Sequence, residues 1–237
     1  MTPELLVLAG TAASIGFIHT LLGPDHYLPF IVMAKARGWS RKKALAITSL
    51  CGLGHVATSV LLGAIGIGLG VAVGNIEAIE AVRGDWAAWA LIAFGLTYFA
   101  WGLKAAFRNK PHIHVHDHGD GTVHQHNHSH YTDHAHMHGS QSKIGITPLA
   151  LFIVFVLGPC EPLIPILMYP ASQGSWGGVL AVAVIFGIST LVTMTAVVAF
   201  ALFGLKRVSF VPLARFSHAL AGGAVAVSGS FIVFLGL

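Results

Sequence analysis

Apolar residues run almost without interruption through six stretches of the chain, at about 4–34, 44–74, 86–107, 146–170, 178–204 and 212–236. Each can form a helix that crosses a hydrocarbon layer of ~30 Å, a distance that takes about 20 residues. The pattern predicts an all-α polytopic membrane protein with six transmembrane helices. The first two runs are longer than a simple span, which predicts tilt, a break or extension past the bilayer. The first run is also too long, and too polar at its end, for a cleaved signal peptide, and no small-residue cleavage site follows it. It reads as a retained span.

The polar interruptions carry the next step. Residues 19–33 read HTLLGPDHYLPFIVM, placing His19, Asp25 and His26 around Gly23-Pro24. Ionisable side chains at membrane depth persist mainly where they face a protein-lined cavity. Pro24 has no amide N–H and obstructs the carbonyl four residues back, so it breaks the helix. A related stretch recurs at 157–171, LGPCEPLIPILMYPA. Without gaps it matches 22–36 at Leu22/Leu157, Gly23/Gly158, Pro24/Pro159, Leu28/Leu163, Ile31/Ile166, Met33/Met168 and Ala36/Ala171. The same offset pairs His55 with Thr190 and Thr58 with Thr193. The chain therefore reads as a duplicated unit: residues 1–110 form a first three-helix repeat, 111–143 a linker and 144–237 a second repeat.

Composition agrees, with 55% hydrophobic and 9% charged residues and a mean hydropathy of +0.76. So little polar surface excludes a soluble globule. The net charge of +4 does not point to nucleic acid, because position overrides the total. Lys35, Arg37, Arg41, Lys42 and Lys43 follow the first span; Lys104, Arg108, Lys110 and Lys143 flank the third connection; Lys206, Arg207 and Arg215 flank the fifth. Short cytoplasmic loops collect such residues. Arg83, in a predicted loop with Glu77, Glu80 and Asp85, falls on the other side. Both termini are thus expected outside a bacterial inner membrane. Three helices per repeat make the second unit run opposite to the first, a 3+3 inverted repeat with broken helices 1 and 4, which is a transporter architecture.

The linker PHIHVHDHGDGTVHQHNHSHYTDHAHMHGSQSK is expected to be cytoplasmic and, with almost nothing apolar to bury, disordered. It holds eleven of the fifteen histidines: His112, His114, His116, His118, His124, His126, His128, His130, His134, His136 and His138. Neutral imidazole ligates nickel, cobalt, zinc and copper, so these are accessory metal ligands forming many overlapping weak sites. The intramembrane set is smaller. On a continuous helix His19 and His26 would stand about 10 Å apart along the axis, so one ion could bind both only if Gly23-Pro24 unwinds the backbone. Gly158-Pro159 is the equivalent break. Asp25 and Glu161 offset the positive end of each restarted helix; His55 and Cys160 are further candidate ligands. Cys51, four residues before His55, and the hydroxyls Thr190 and Thr193 are candidates for a supporting shell. His218 has the position of an interfacial residue.

A spaced His followed by Asp-His, here His19 with Asp25-His26, resembles the helix signature of nickel/cobalt permeases. The six-helix layout with a His-rich loop is similar to their efflux relatives, and GFIHTLLGPDH resembles the urease-accessory and sulfite-exporter-like transmembrane relatives. Five residues separate His19 from Asp25, where the permease pattern has four. The resemblance implies alternating-access transport of Ni²⁺ or Co²⁺, with Zn²⁺ or copper as other cargoes, no prosthetic group and no catalysis. A metallochaperone is a candidate partner. The Asp-His signature points to uptake; the His-rich loop fits capture before export as well. LGPCEPLIP also resembles the Pro-Cys segments of transmembrane thiol-disulfide conduits of the cytochrome c biogenesis type. That chemistry needs two thiols that meet, and the repeat mate of Cys160 is Asp25, so the metal carrier is the preferred reading. The conduit and a membrane metal sensor are the alternatives.

Overall fold

The computed structural model describes residues 3–70, 73–108, 112–117, 123–128, 146–158, 160, 162–204 and 215–235. The membrane part is helical throughout. Helix α1 (Pro3–Leu22) leads through a 3-10 turn at Pro24–His26 into α2 (Leu28–Ala36). Two long helices follow, α3 (Arg41–Gly68) and α4 (Val73–Arg108). The second half has α5 (Ile146–Leu157), α6 (Leu163–Ser172), α7 (Trp176–Gly204) and α8 (Ser217–Leu235). Among the described residues five helices, α1, α3, α4, α7 and α8, are long and apolar enough to cross a membrane. The fourth predicted span is instead divided between α5 and α6, neither of which is long enough alone. Leu6, Val7, Trp86, Trp89, Leu180 and Phe200 are exposed large apolar residues, as a lipid-facing surface requires.

Both predicted breaks are present. In the first half α1 ends at Leu22 and α2 begins at Leu28; in the second α5 ends at Leu157 and α6 begins at Leu163, the positions paired with them by the repeat. At the first break, Gly23 leaves room for two side chains: a Cβ there would stand 2.6 Å from Nδ1 of His26 and 2.8 Å from Oδ1 of Asp25, so a larger residue would push them aside. Small residues also bring α4 and α8 into backbone contact, Gly95 against Ala226 and Gly102 against Ala219. Close approach of this kind is how membrane helices gain packing when lipid is as apolar as the helices.

Two expectations need correction. Residues 77–85 form no loop: α4 starts at Val73, and its buried positions Ile76, Glu80, Ala87 and Leu91 recur at helical spacing. At 36 residues this helix is about 54 Å long, so it takes in the acidic segment as an extension of the span. In the linker, β1 (His112–Asp117) and β2 (Val123–His128) pair antiparallel where the composition predicts disorder. The register sets His112 opposite His128, His114 opposite His126 and His116 opposite His124.

Candidate functional site

The first break bends the chain so that residues from opposite ends of it meet. His19 lies in the last turn of α1 and His26 ends the 3-10 turn. Their ring centroids are 4.8 Å apart, edge to face. His55, from the middle of α3, meets the other side of His26 at 5.1 Å. One ring nitrogen from each of the three lies within 4.8 Å of the others. His26 and His55 are buried, while Asp25 is partly exposed.

Hydrogen bonding orients two of these rings. Nδ1 of His26 is 3.2 Å from Oδ1 of Asp25, and Nδ1 of His55 is 3.3 Å from the carbonyl of Phe155. A carboxylate and a carbonyl only accept, so each Nδ1 carries the hydrogen. When neutral, rings held in this way present bare Nε2 atoms. Nε2 of His26, like Nε2 of His19, is buried with no hydrogen-bond partner. Nε2 of His55 meets Sγ of Cys160 at 3.2 Å, so the thiol S–H donates to it. These groups border a cavity of about 410 Å³ lined by His19, Asp25, His26, His55, Asp85 and Gly158. It lies between the two halves of the chain.

The second break is held by residues that the sequence reading placed in a loop. Nη2 of Arg83 donates to the carbonyl of Gly158 at 2.7 Å and its Nε to that of Leu157 at 3.2 Å. Nη1 pairs with Oε1 of Glu80 at 2.7 Å, and Glu80 is fully buried. Oγ of Ser59 donates to Oε2 of Glu80 at 3.3 Å and accepts from the amide of Cys160 at 3.1 Å. The sequence signal for Glu80 and Arg83 was their helical i, i+3 spacing, masked by the charge density around them.

The other candidates are placed elsewhere. Cys51 is buried in the apolar cluster of Phe30, Met33 and Phe155. Thr193 donates to the carbonyl of Ser189, and Thr190 lies where α7 crosses Gly16 of α1. His218 lies in the first turn of α8, its Nδ1 2.8 Å from the hydroxyl of Tyr98, whose ring also carries the guanidinium of Arg37. Pro159, Glu161 and the loop histidines His118, His130, His134, His136 and His138 lie outside the described residues.

Fold and site together define an integral membrane protein with a buried imidazole–thiol centre between broken helices. Residues 28–236 match the family model for the cytochrome c biogenesis protein transmembrane region, and the chain belongs to that family. No curated protein and no solved structure matches it. The match overturns the resemblance to nickel/cobalt permeases and, with it, the Ni²⁺ or Co²⁺ carrier reading. That reading rested on His19 with Asp25-His26 at a near-miss spacing and on the helix layout with its His-rich loop, whereas the family match covers the second break and every helix from α2 onward. The alternative carried by LGPCEPLIP is the better supported one.

Proposed function

We propose that the chain is a membrane thiol–disulfide carrier in which Cys160 is the reacting thiol and His55 its base. The observation that carries this reading is the 3.2 Å approach of Cys160 Sγ to His55 Nε2 at a helix break in a chain of this family. The S–H proton passes to Nε2, and the thiolate attacks a disulfide on an external partner protein. A bond forms between Cys160 and one partner sulfur while the partner's S–S bond breaks; the leaving sulfur takes the proton back from the imidazole. A second thiol then attacks Cys160 Sγ in the mixed disulfide; the second partner sulfur leaves and takes that thiol's proton, completing a two-electron exchange. The other cysteine of the chain, Cys51, is one helical turn from His55 on α3 but is packed in the apolar cluster of Phe30, Met33 and Phe155, so it serves as that thiol only when the break shifts towards it.

The same reading takes the molecule as a 3+3 inverted repeat with both termini outside. Equal breaks at one offset support it, and so does reciprocal packing: α1 lies on α7 as α5 lies on α3, α2 on α8 as α6 on α4, and α4 on α8. The basic loops supply the orientation. The redox claim is tested by equilibrating the full-length protein in nanodiscs with dithiol/disulfide buffers, then alkylating and weighing it. Cys51 and Cys160 are expected to oxidise together in one two-electron transition, lost in C51S and in C160S. Two free thiols under the most oxidising buffer would overturn the reading.

A second reading rests on the unpartnered Nε2 atoms of His19 and His26. With His55 they offer three neutral imidazoles to one resident transition-metal ion, two of them oriented through Nδ1 as ligating histidines usually are. Above the weak binding of the loop histidines, the purified protein is expected to hold one tight equivalent of Zn²⁺ or Cu⁺, lost in His26→Ala. A tight equivalent that survives His26→Ala would exclude this cluster as the site.

A further inference from the structure

We infer that Arg83, Glu80 and Ser59 form a brace that positions Cys160 against His55, an inference that rests on the thiol reading above. None of the three touches the sulfur; they act through the backbone of the break. Where α5 ends, its last carbonyls lose their helical partners, and backbone freed at membrane depth must be satisfied by neighbouring protein or by a cavity. Pro159 and Pro162 have no N–H to offer. Arg83 meets this need with a guanidinium fork, giving one arm to Leu157 and another to Gly158. Thr58 adds a hydroxyl to the carbonyl of Val156 at 3.1 Å.

The consequence for the thiol lies on α3. Ser59 stands four residues after His55, one turn along the same face. Ser59 holds the amide of Cys160 and His55 holds its sulfur, so α3 grips that residue at two points. Glu80 fixes the Ser59 hydroxyl and the Arg83 guanidinium at once, one carboxylate oxygen to each. A buried ion pair is weak evidence for stability, because well-packed apolar residues often serve as well. An apolar pair here would leave the carbonyls of Leu157 and Gly158 without donors and the Cys160 amide free to turn. The pair's location is explained by the geometry it imposes.

The test reads the S–H stretching band of Cys160 by infrared spectroscopy on the full-length protein in nanodiscs. A C51A background leaves Cys160 as the one thiol. The band is expected at its hydrogen-bonded position, and H55F should shift it to that of a free thiol. R83Q and S59A should each produce a shift of comparable size, and R83K, which keeps the charge but not the fork, a smaller one. If R83Q and S59A lower thermal stability yet leave the band in place, the brace is merely structural and the inference falls. S59A alone decides the matter should R83Q fail to insert. If H55F leaves the band unmoved while S59A and R83Q shift it, the brace stands and the thiol–imidazole reading is the one that fails.

Discussion

The two helix breaks have the same length and the same Leu-Gly-Pro start, yet they are held in different ways. The first is nearly self-sufficient. The amide of Gly23 bonds to His19, that of His26 to Gly23, and that of Tyr27 to Pro24, while the Tyr27 hydroxyl reaches back to the carbonyl of Leu21 at 3.2 Å. The second keeps local bonds at Gly158 and Leu163 but depends on α3 and α4 for the rest. One substitution explains much of this: Pro162 stands where the first break has Tyr27, removing both an N–H and a hydroxyl. A break that closes on itself frees its side chains to face a cavity. A break closed by neighbours is locked to them, and Cys160 is locked to His55.

The largest expected effect comes from removing the trans support. Arg83→Leu leaves the fully buried carboxylate of Glu80 without its guanidinium, which should cost about 3–5 kcal/mol. The counterpart at the first break, Tyr27→Phe, removes one hydrogen bond worth about 1 kcal/mol. Reversible unfolding in mixed micelles measures both. Equal losses would erase the contrast between a self-closed and a braced break.

A smaller separation is expected from the paired glycines. Gly23→Ala drives a methyl into His26 and Asp25 and should cost about 1–3 kcal/mol through overpacking. Gly158→Ala meets Nδ1 of His55 at 3.2 Å and the Phe155 carbonyl at 3.3 Å, both looser than the contacts at Gly23, so shifts of a few tenths of an ångström suffice. The same unfolding assay should therefore show the first substitution as the more harmful. The reverse order would mean that the first break is the more pliant of the two.

The smallest effect is a change of tautomer with little change in stability. In ¹⁵N spectra of the histidine rings, His26 and His55 should both carry hydrogen on Nδ1, held there by Asp25 and by Phe155. Asp25→Ala should redistribute the His26 proton between its nitrogens and leave His55 unchanged. A simultaneous change at His55 would show that the two rings are coupled across the breaks.

Much of the fold was legible because lipid acts on each segment separately. Mean hydropathy marks the spans whatever their packing, and Gly-Pro marks the breaks through backbone chemistry alone. The start of α4 was not legible. Glu77, Glu80, Arg83 and Asp85 read as a loop when counted as charges, and only their helical spacing, with Glu80 fully buried and Asp85 at the cavity, makes them part of a span. The family was misread for a related reason. His19, Asp25 and His26 form a short pattern that several chemistries can share, while membership is carried by residues 28–236, which include none of the three.

By itself, then, the sequence determined that this is a polytopic membrane protein with two equivalent breaks and polar groups at membrane depth. It also singled out His19, Asp25, His26, His55 and Cys160 individually. Which of them meet was decided by tertiary structure. His55 and Cys160 are 105 residues apart, and whether an imidazole and a thiol come within bonding distance depends on how α3 crosses the end of α5. That crossing depends on side chains from a third helix, Arg83 and Glu80, filling the donors and acceptors that the break leaves open. Periodicity and composition are local properties, whereas a hydrogen-bond network closed across three helices has no local trace.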